Sequence, residues 1–230
     1  MNERAEQQVD RLRERLALVS QADAAHFPEL TTLQWQQFNH YIRLLLEWNQ
    51  RINLISPNDE DRIAERHILE SLAVLSVWPF PENASVLDLG SGGGFPGIPL
   101  KITRPDLAMT LLESRQKKTL FLNAVVRELQ LENCRVVNAR AEELTKTSDE
   151  KFSIVIARAV ADLKTLWKWS KPMLDDNGVL LAMKGGELND ELQALMKFDP
   201  RIEYRVLHYP AKWEVDESRC LVIVSNNLAA

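Results

Sequence analysis

Residues 86–99, Val86-Leu87-Asp88-Leu89-Gly90-Ser91-Gly92-Gly93-Gly94-Phe95-Pro96-Gly97-Ile98-Pro99, decide how this chain folds. Val86 to Leu89 read as the end of a buried strand. The glycines that follow let the backbone turn tightly and approach a ligand, because no Cβ stands in the way. Pro96 or Pro99 suits the first turn of a helix, where a missing N–H costs little. Strand, glycine turn and helix start together form a seat for a nucleoside-bearing cofactor at the carboxyl end of a parallel sheet. Gly92 to Gly97 also satisfies G-x-G-x-x-G, the pattern of NAD and FAD sites. Asp88 argues against those cofactors, since a carboxylate there would repel a pyrophosphate. It would attract an ammonium group, which S-adenosylmethionine carries beside its sulfonium. Asp88 capping its own turn is the structural alternative.

Working outward, 230 residues suffice for one large domain with an appendage or for two small ones. The first ten residues are polar and charged, unlike a secretory leader. No stretch has the length of a membrane span, so no membrane partner is expected. Cys134 and Cys220 lie in apolar, strand-like runs without metal-ligand spacing; they read as buried thiols in a reducing, cytoplasmic setting. The formal charge is −5, with 8 Lys and Arg against 12 Asp and Glu in residues 1–80. That balance excludes a strongly basic nucleic-acid binder, so an RNA site must be a local patch or lie on a larger particle.

Residues 1–20 read as a helix with Val9, Leu12, Leu16 and Val19 on one face. Its arginines at 11, 13 and 15 alternate with acids and read as a solvated face. Thr31 or Thr32 caps a second helix whose stripe is Trp35, Phe38, Ile42, Leu45, Trp48 and Ile52, read as core packing. Pro57 blocks an immediate return to helix, and Asn58 or Asp59 caps a third with Ile63, Ile68, Leu72 and Leu75 inward. Trp78-Pro79-Phe80-Pro81 ends this part, giving a helical extension and cap over 1–80 and a second domain over 81–230. From Ser85 onward strands alternate with helices: strands near 107–113, 134–138, 152–157 and 178–183, helices near 117–129, 163–174 and 187–196. Asp162 is a cap, and 146–151 is a polar loop. Segments 202–208 and 220–225 form an antiparallel pair at the edge of an otherwise parallel sheet. The fold class is α/β.

Ligands in such sheets bind at the carboxyl ends of the strands. Glu113 ends the second strand, where an acid can hold ribose hydroxyls. Ala141 is small enough to lie along an adenine face, with Glu142 near its polar edge. Arg158 sits in an apolar run and needs a carboxylate or phosphate partner. Lys184 ends the fifth strand. Four scattered histidines show no metal-ligand pairing, no nucleophile elbow is present, and neither cysteine has an activating setting. His67, a lone helical histidine, reads on its own as structural or simply exposed.

These motifs carry a resemblance. DLGSGGGFPGIP (88–99), LLESRQKK (111–118), NARAEE (138–143) and IARAVADL (156–163), with WNQRINLIS (48–56) and RHILESL (66–72) upstream, resemble the bacterial small-subunit ribosomal RNA guanine-N7 methyltransferases, earlier named glucose-inhibited division protein B. The resemblance spans roughly residues 30–225; residues 1–25 inherit nothing from it. It implies a class I S-adenosylmethionine-dependent methyltransferase, with a Rossmann-like, mostly parallel seven-stranded sheet and an N-terminal helical cap. It implies that Gly90, Gly92, Phe95, Ala141, Glu142 and Arg158 hold S-adenosylmethionine, with Asp88 at its amino group and Glu113 at its ribose. Asn53, His67, Arg140, Lys184 and Arg219 match polar positions for RNA or active-site contact. Arg140, Lys184 and Arg219 are expected to form one basic patch facing RNA. The implied partner is 16S ribosomal RNA or the small subunit, not DNA, bound by a monomer without metal. Guanine N7 carries a free lone pair, so no residue is assigned as acid or base, and positioning leads the chemistry. Three other readings remain: a small-molecule or protein methyltransferase on the same fold, a noncatalytic S-adenosylmethionine-binding assembly factor, and, disfavoured by Asp88, an NAD-linked oxidoreductase.

Overall fold

The computed structural model describes residues 2–22 and 29–228; Met1, part of the expected first helix, lies outside them. Among the described residues, seven strands form one sheet: β1 (Ser85–Leu89), β2 (Ala108–Leu112), β3 (Cys134–Val137), β4 (Phe152–Arg158), β5 (Leu174–Gly185), β6 (Glu203–His208) and β7 (Arg219–Ser225). Their spatial order is β3-β2-β1-β4-β5-β7-β6. The first five are parallel, whereas β7 runs antiparallel to β5 and β6 antiparallel to β7. Strand order reverses between β1 and β4, which places the glycine turn at the crevice where such sheets bind ligands.

Helices cover both faces. On one side pack α1 (Asn2–Ala22), α2 (Thr32–Asn49), the segment 57–76 containing α3 (Glu70–Ala73), α4 (Gly97–Thr103) and α5 (Gln116–Glu128). On the other pack α6 (Ala141–Thr147), α7 (Leu163–Ser170) and α8 (Asn189–Phe198). The apolar face of α1, Val9, Leu12, Leu16 and Val19, joins the same core as Val86 and Ile156 of the sheet. The described residues of 1–80 therefore share one continuous core with the strands.

Strand alternation decides which side each polar strand end faces. Ile154 and Ile156 of β4 face the cap, so Arg158 does as well; Leu221 and Ile223 carry Arg219 to the same side. In β5, Val179, Leu181 and Met183 face the cap, and Lys184, one residue on, points to the opposite layer.

Thr31 caps α2 through a capping box with Gln34, as one of the two expected threonines. The third helix differs. Its cap is Ser56, whose hydroxyl accepts from the Asn58 N–H, not Asn58 or Asp59. Pro57 opens the segment instead of blocking it, because the first turn needs no N–H from it. The segment is a 3-10 turn (Pro57–Arg62), then a π-turn (Ala64–Leu69), then the single turn of α3. The expected loop at 146–151 is shorter, since α6 extends to Thr147. β5 begins at Leu174, across a register shift against β4, and takes up the last residue assigned to the preceding helix. The arginines of α1 are not a bare solvated face: Arg11 reaches Asp61 and Glu65, Arg15 pairs with Glu214, and Arg13 lies over the Trp35 ring. Both cysteines are free thiols, Cys220 buried and Cys134 partly so. Burial raises both, Cys134 to about 12, which leaves them unreactive at neutral pH.

Candidate active site

β1 delivers the chain into a turn that only glycine fits. Gly90 has φ +76°, and a Cβ there would lie 2.7 Å from Val160 Cγ2. Gly92 has φ +56°, and a Cβ on it would meet nothing nearer than Gly90 O at 3.7 Å and Lys118 Nζ at 3.8 Å. The turn is held from outside. Glu113 Oε2 accepts from the Gly92 N–H at 3.0 Å, and Tyr41 on α2 donates to Gly93 O at 2.6 Å.

The turn forms one wall of a cavity of about 810 Å³. The rest of the lining comes from Asp59, Arg62, Glu65, Arg66 and His67 of the 3-10 and π segment, Glu70 of α3, the loop 214–217 and Arg219. Gly90, Gly92, Phe95, His67, Arg158 and Arg219 from the sequence reading meet here. Asp88, Glu113, Ala141, Glu142, Asn53, Arg140 and Lys184 do not line it.

Arg158 has the carboxylate it requires. Its Nη1 donates to Glu70 Oε2 at 3.1 Å, its Nη2 donates to His67 Nδ1 at 3.0 Å, and its guanidinium lies over the Phe95 ring at 5.0 Å. The same Glu70 has its other oxygen 3.5 Å from Arg219 Nε. An arginine only donates, so His67 Nδ1 must be unprotonated and Nε2 carries the hydrogen. That Nε2–H is buried without a hydrogen-bond partner, 3.6 Å from Asp59 Oδ2. His67 stacks on Phe95 at 4.9 Å. Burial, then the Arg158 charge, push His67 down to about 4, so it is neutral at physiological pH.

Asp88 is fully buried on the cap side of β1. Its Oδ2 accepts from the Gly97 N–H at 3.1 Å, at the start of α4, while Oδ1 has no partner. Burial pushes this carboxyl up to about 7. Glu113 is engaged at both oxygens, by Gly92 and by the Arg115 N–H at 2.7 Å. Asn138 donates to Glu113 O, which ties the end of β3 to that of β2. Arg158, Gly90 with Gly92, Glu113, and Ala141 with Glu142 thus follow one another along the carboxyl edge, at the ends of β4, β1, β2 and β3.

The expected basic patch does not form. Arg140 follows β3 and Arg219 opens β7, five strand spacings apart, or about 24 Å at ~4.8 Å per strand. Lys184 lies on the far face, donating to Ala161 O at 3.0 Å and pairing with Glu191 at 2.7 Å. Asn53 is exposed, next to Leu54 and Ile55, whose N–H groups bind the buried Asn49. Glu70 and Tyr41 escaped the sequence reading, and Asp59 entered it only as a helix cap. Glu70 lies three residues after His67, a spacing that shares a helix face, and that was its available signal. Among the described residues no cluster could hold a metal ion, and no helix is long and apolar enough to cross a membrane.

A family model described as rRNA small subunit methyltransferase G matches residues 34–218. A Brevibacillus brevis protein named Ribosomal RNA small subunit methyltransferase G is 41% identical over 176 residues, 76% of this chain and 74% of that protein. One of the same name from Lactobacillus delbrueckii subsp. bulgaricus is 37% identical over 205 residues, 85% of this chain and 84% of its own. Among solved structures, Aeropyrum pernix fibrillarin in complex with natively bound S-adenosyl-L-methionine matches with a TM-score of 0.51 at 17% identity, over 67% of this chain and 73% of that chain. At that identity the likeness concerns the fold alone.

Proposed function

The chain belongs to the rRNA small subunit methyltransferase G family, and from that premise we propose that it methylates N7 of a guanine in 16S ribosomal RNA. It is an S-adenosylmethionine-dependent rRNA methyltransferase. The observation that carries this reading is the reach of the family match: residues 34–218 include every lining residue of the cavity except Arg219.

Two features support the fit to S-adenosylmethionine. Gly92 lines the cavity with backbone alone, without a side chain to occupy it. Asp88 Oδ1 is a buried acceptor lacking a donor, which an ammonium group would supply. We assign Gly90, Gly92, Phe95 and Arg158 to its hold, Asp88 to its amino group, Glu113 to its ribose, and Ala141 with Glu142 to its adenine. In that reading Glu113 exchanges one of its backbone partners for a hydroxyl. When bound, S-adenosylmethionine supplies an electrophilic methyl group.

The remaining demands fall on the protein. Guanine N7 needs no proton removed, and positive charge grows on the base as it is methylated. A bare cation beside N7 would oppose that. Glu70 compensates Arg158, and His67 is neutral, so neither sets a bare positive charge beside the base. His67, Asn53, Arg140 and Arg219 are proposed for RNA contact; Lys184, paired and on the far face, is better read as structural. The substrate is RNA alone or in the small subunit, bound by a cytoplasmic monomer that engages neither DNA nor membrane, with residues 1–80 as its cap.

The test is to map N7-methylguanine by chemical cleavage in small-subunit rRNA from a strain lacking the gene, with and without the gene restored. A single guanine should lose and regain the mark. An unchanged methylation map would overturn the assignment.

A further inference from the structure

Gln8 on α1 is 2% exposed, and its carboxamide is engaged at both ends. Nε2 donates to Asp61 O at 2.7 Å, and Oε1 accepts from the Ala64 N–H at 3.0 Å. These backbone groups flank the point where the 3-10 turn gives way to the π-turn. The hydrogen-bond spacing along the chain changes there, so a junction of this kind leaves groups that need partners from outside. A glutamine holds a donor and an acceptor on one planar end, which matches one carbonyl and one N–H.

Gln8 belongs to a stripe on α1 at positions 4, 8, 11 and 15, the spacing of one helix face. Arg4 pairs with Glu60 and Asp61, Arg11 donates to Asp61 O at 2.8 Å, and Arg15 pairs with Glu214. Glu60 also receives Asn49 Nδ2 at 2.7 Å, and Asn49 in turn holds the N–H groups of Leu54 and Ile55. Every segment the stripe reaches lines the cavity. The helix itself lies outside the matched span, which begins at residue 34.

We propose that Gln8 is a positioning residue of the active site, which sets the 3-10 to π junction so that Asp59, Arg66 and His67 face the RNA. The role in RNA engagement rests on the methyltransferase reading above; the geometry of the junction does not.

Three variants test it in the full-length protein: Gln8→Met, which keeps size but loses both hydrogen bonds; Gln8→Glu, which keeps an acceptor for Ala64 but loses the donor to Asp61; and Leu12→Ala, a core truncation on the same helix. Steady-state kinetics on small-subunit rRNA, S-adenosylmethionine affinity by calorimetry and NMR titration of His67 are the readouts. His67 reports the wall because burial, Arg158, Asp59, Arg66 and Arg219 set its titration. For Gln8→Met, kcat/KM for RNA should fall tenfold or more, mainly through KM, with cofactor affinity within twofold. The His67 midpoint should rise by at least one pH unit from about 4. Leu12→Ala, measured where it is folded, should change neither. Should Gln8→Met fail to fold, Gln8→Glu carries the same comparison. An unmoved His67 midpoint, or equal loss in Leu12→Ala, would overturn the proposal. Absence of rRNA methylation by the unaltered protein would instead refute the functional reading, and the His67 titration would still decide the role of Gln8.

Discussion

Glu70 holds two arginines with one carboxylate, and its removal should be felt in both. Arg158 is 13% exposed and Glu70 10%, so the pair is buried enough that breaking it strands a charge. Glu70→Gln should destabilise the fold by about 3 kcal/mol in urea denaturation. A loss below half of that would mean Arg158 finds compensation elsewhere. Asp88 makes a different prediction. Its carboxyl is raised to about 7 by burial, and an ammonium-bearing ligand favours the ionised form. Affinity for S-adenosylmethionine should therefore rise up to tenfold per pH unit below pH 7 and level off above it. Calorimetry from pH 5.5 to 8.5 measures this, and Asp88→Asn should flatten the curve while weakening binding. A flat profile in the unaltered protein would separate Asp88 from the cofactor. At this scale the sequence was informative where chemistry is strict: an arginine in an apolar run demands an acid, and Glu70 supplies it. Which acid it would be was not legible, because the partner comes from 88 positions away.

Among the elements, α7 offers the simplest check. Asp162 accepts from the Thr165 N–H at 2.9 Å and was recognisable as a cap from its place before an apolar helix. Asp162→Ala should cost about 1 kcal/mol, read from a thermal melt, with S-adenosylmethionine affinity unchanged. Strands and the parallel order were equally legible, since alternation of strand and helix leaves few topologies. The 3-10 to π segment was not, because its apolar positions Ile63, Ile68 and Leu72 fit an ordinary helix as well. What distinguishes it is external: Gln8 and the arginines of α1 hold its backbone from another element. The failed basic patch has a simpler cause. Lys184 differs by one residue from the strand positions that face the cap, and a period of two sends it to the other layer.

For the molecule as a whole, His67 and Asp88 act on pH stability in opposite directions. His67 falls to about 4 on folding from an ordinary value near 6.5, so its contribution is complete above pH 6.5 and is lost as pH drops toward 4. Asp88 rises from 3.8 to about 7, so its contribution is complete below pH 3.8 and is lost as pH climbs through 7. Between about pH 4.5 and 6.5 the two slopes, each near 1.4 kcal/mol per unit, should largely cancel. Urea midpoints across that window should be nearly level in the unaltered protein, rise with pH in Asp88→Asn and fall with pH in His67→Gln. Parallel behaviour of the two variants would contradict this. RNA binding should show a shallow salt dependence, since a chain of net charge −5 with few exposed arginines at its cavity neutralises few phosphates. Arg140→Ala and Arg219→Ala should weaken RNA binding and spare cofactor affinity, with the reverse for Arg158→Ala; a swapped pattern would place the RNA surface on the cap. The pairing of Arg15 with Glu214, 199 positions apart, has one more consequence. Synthesis runs from the amino end, so α1 is made before Glu214 and meets that partner only after strands β1 to β6 have been made. Arg219 emerges later still. A chain made only as far as the β1 turn has every glycine of that turn but lacks Glu214 and Arg219, so its cavity is open on that side.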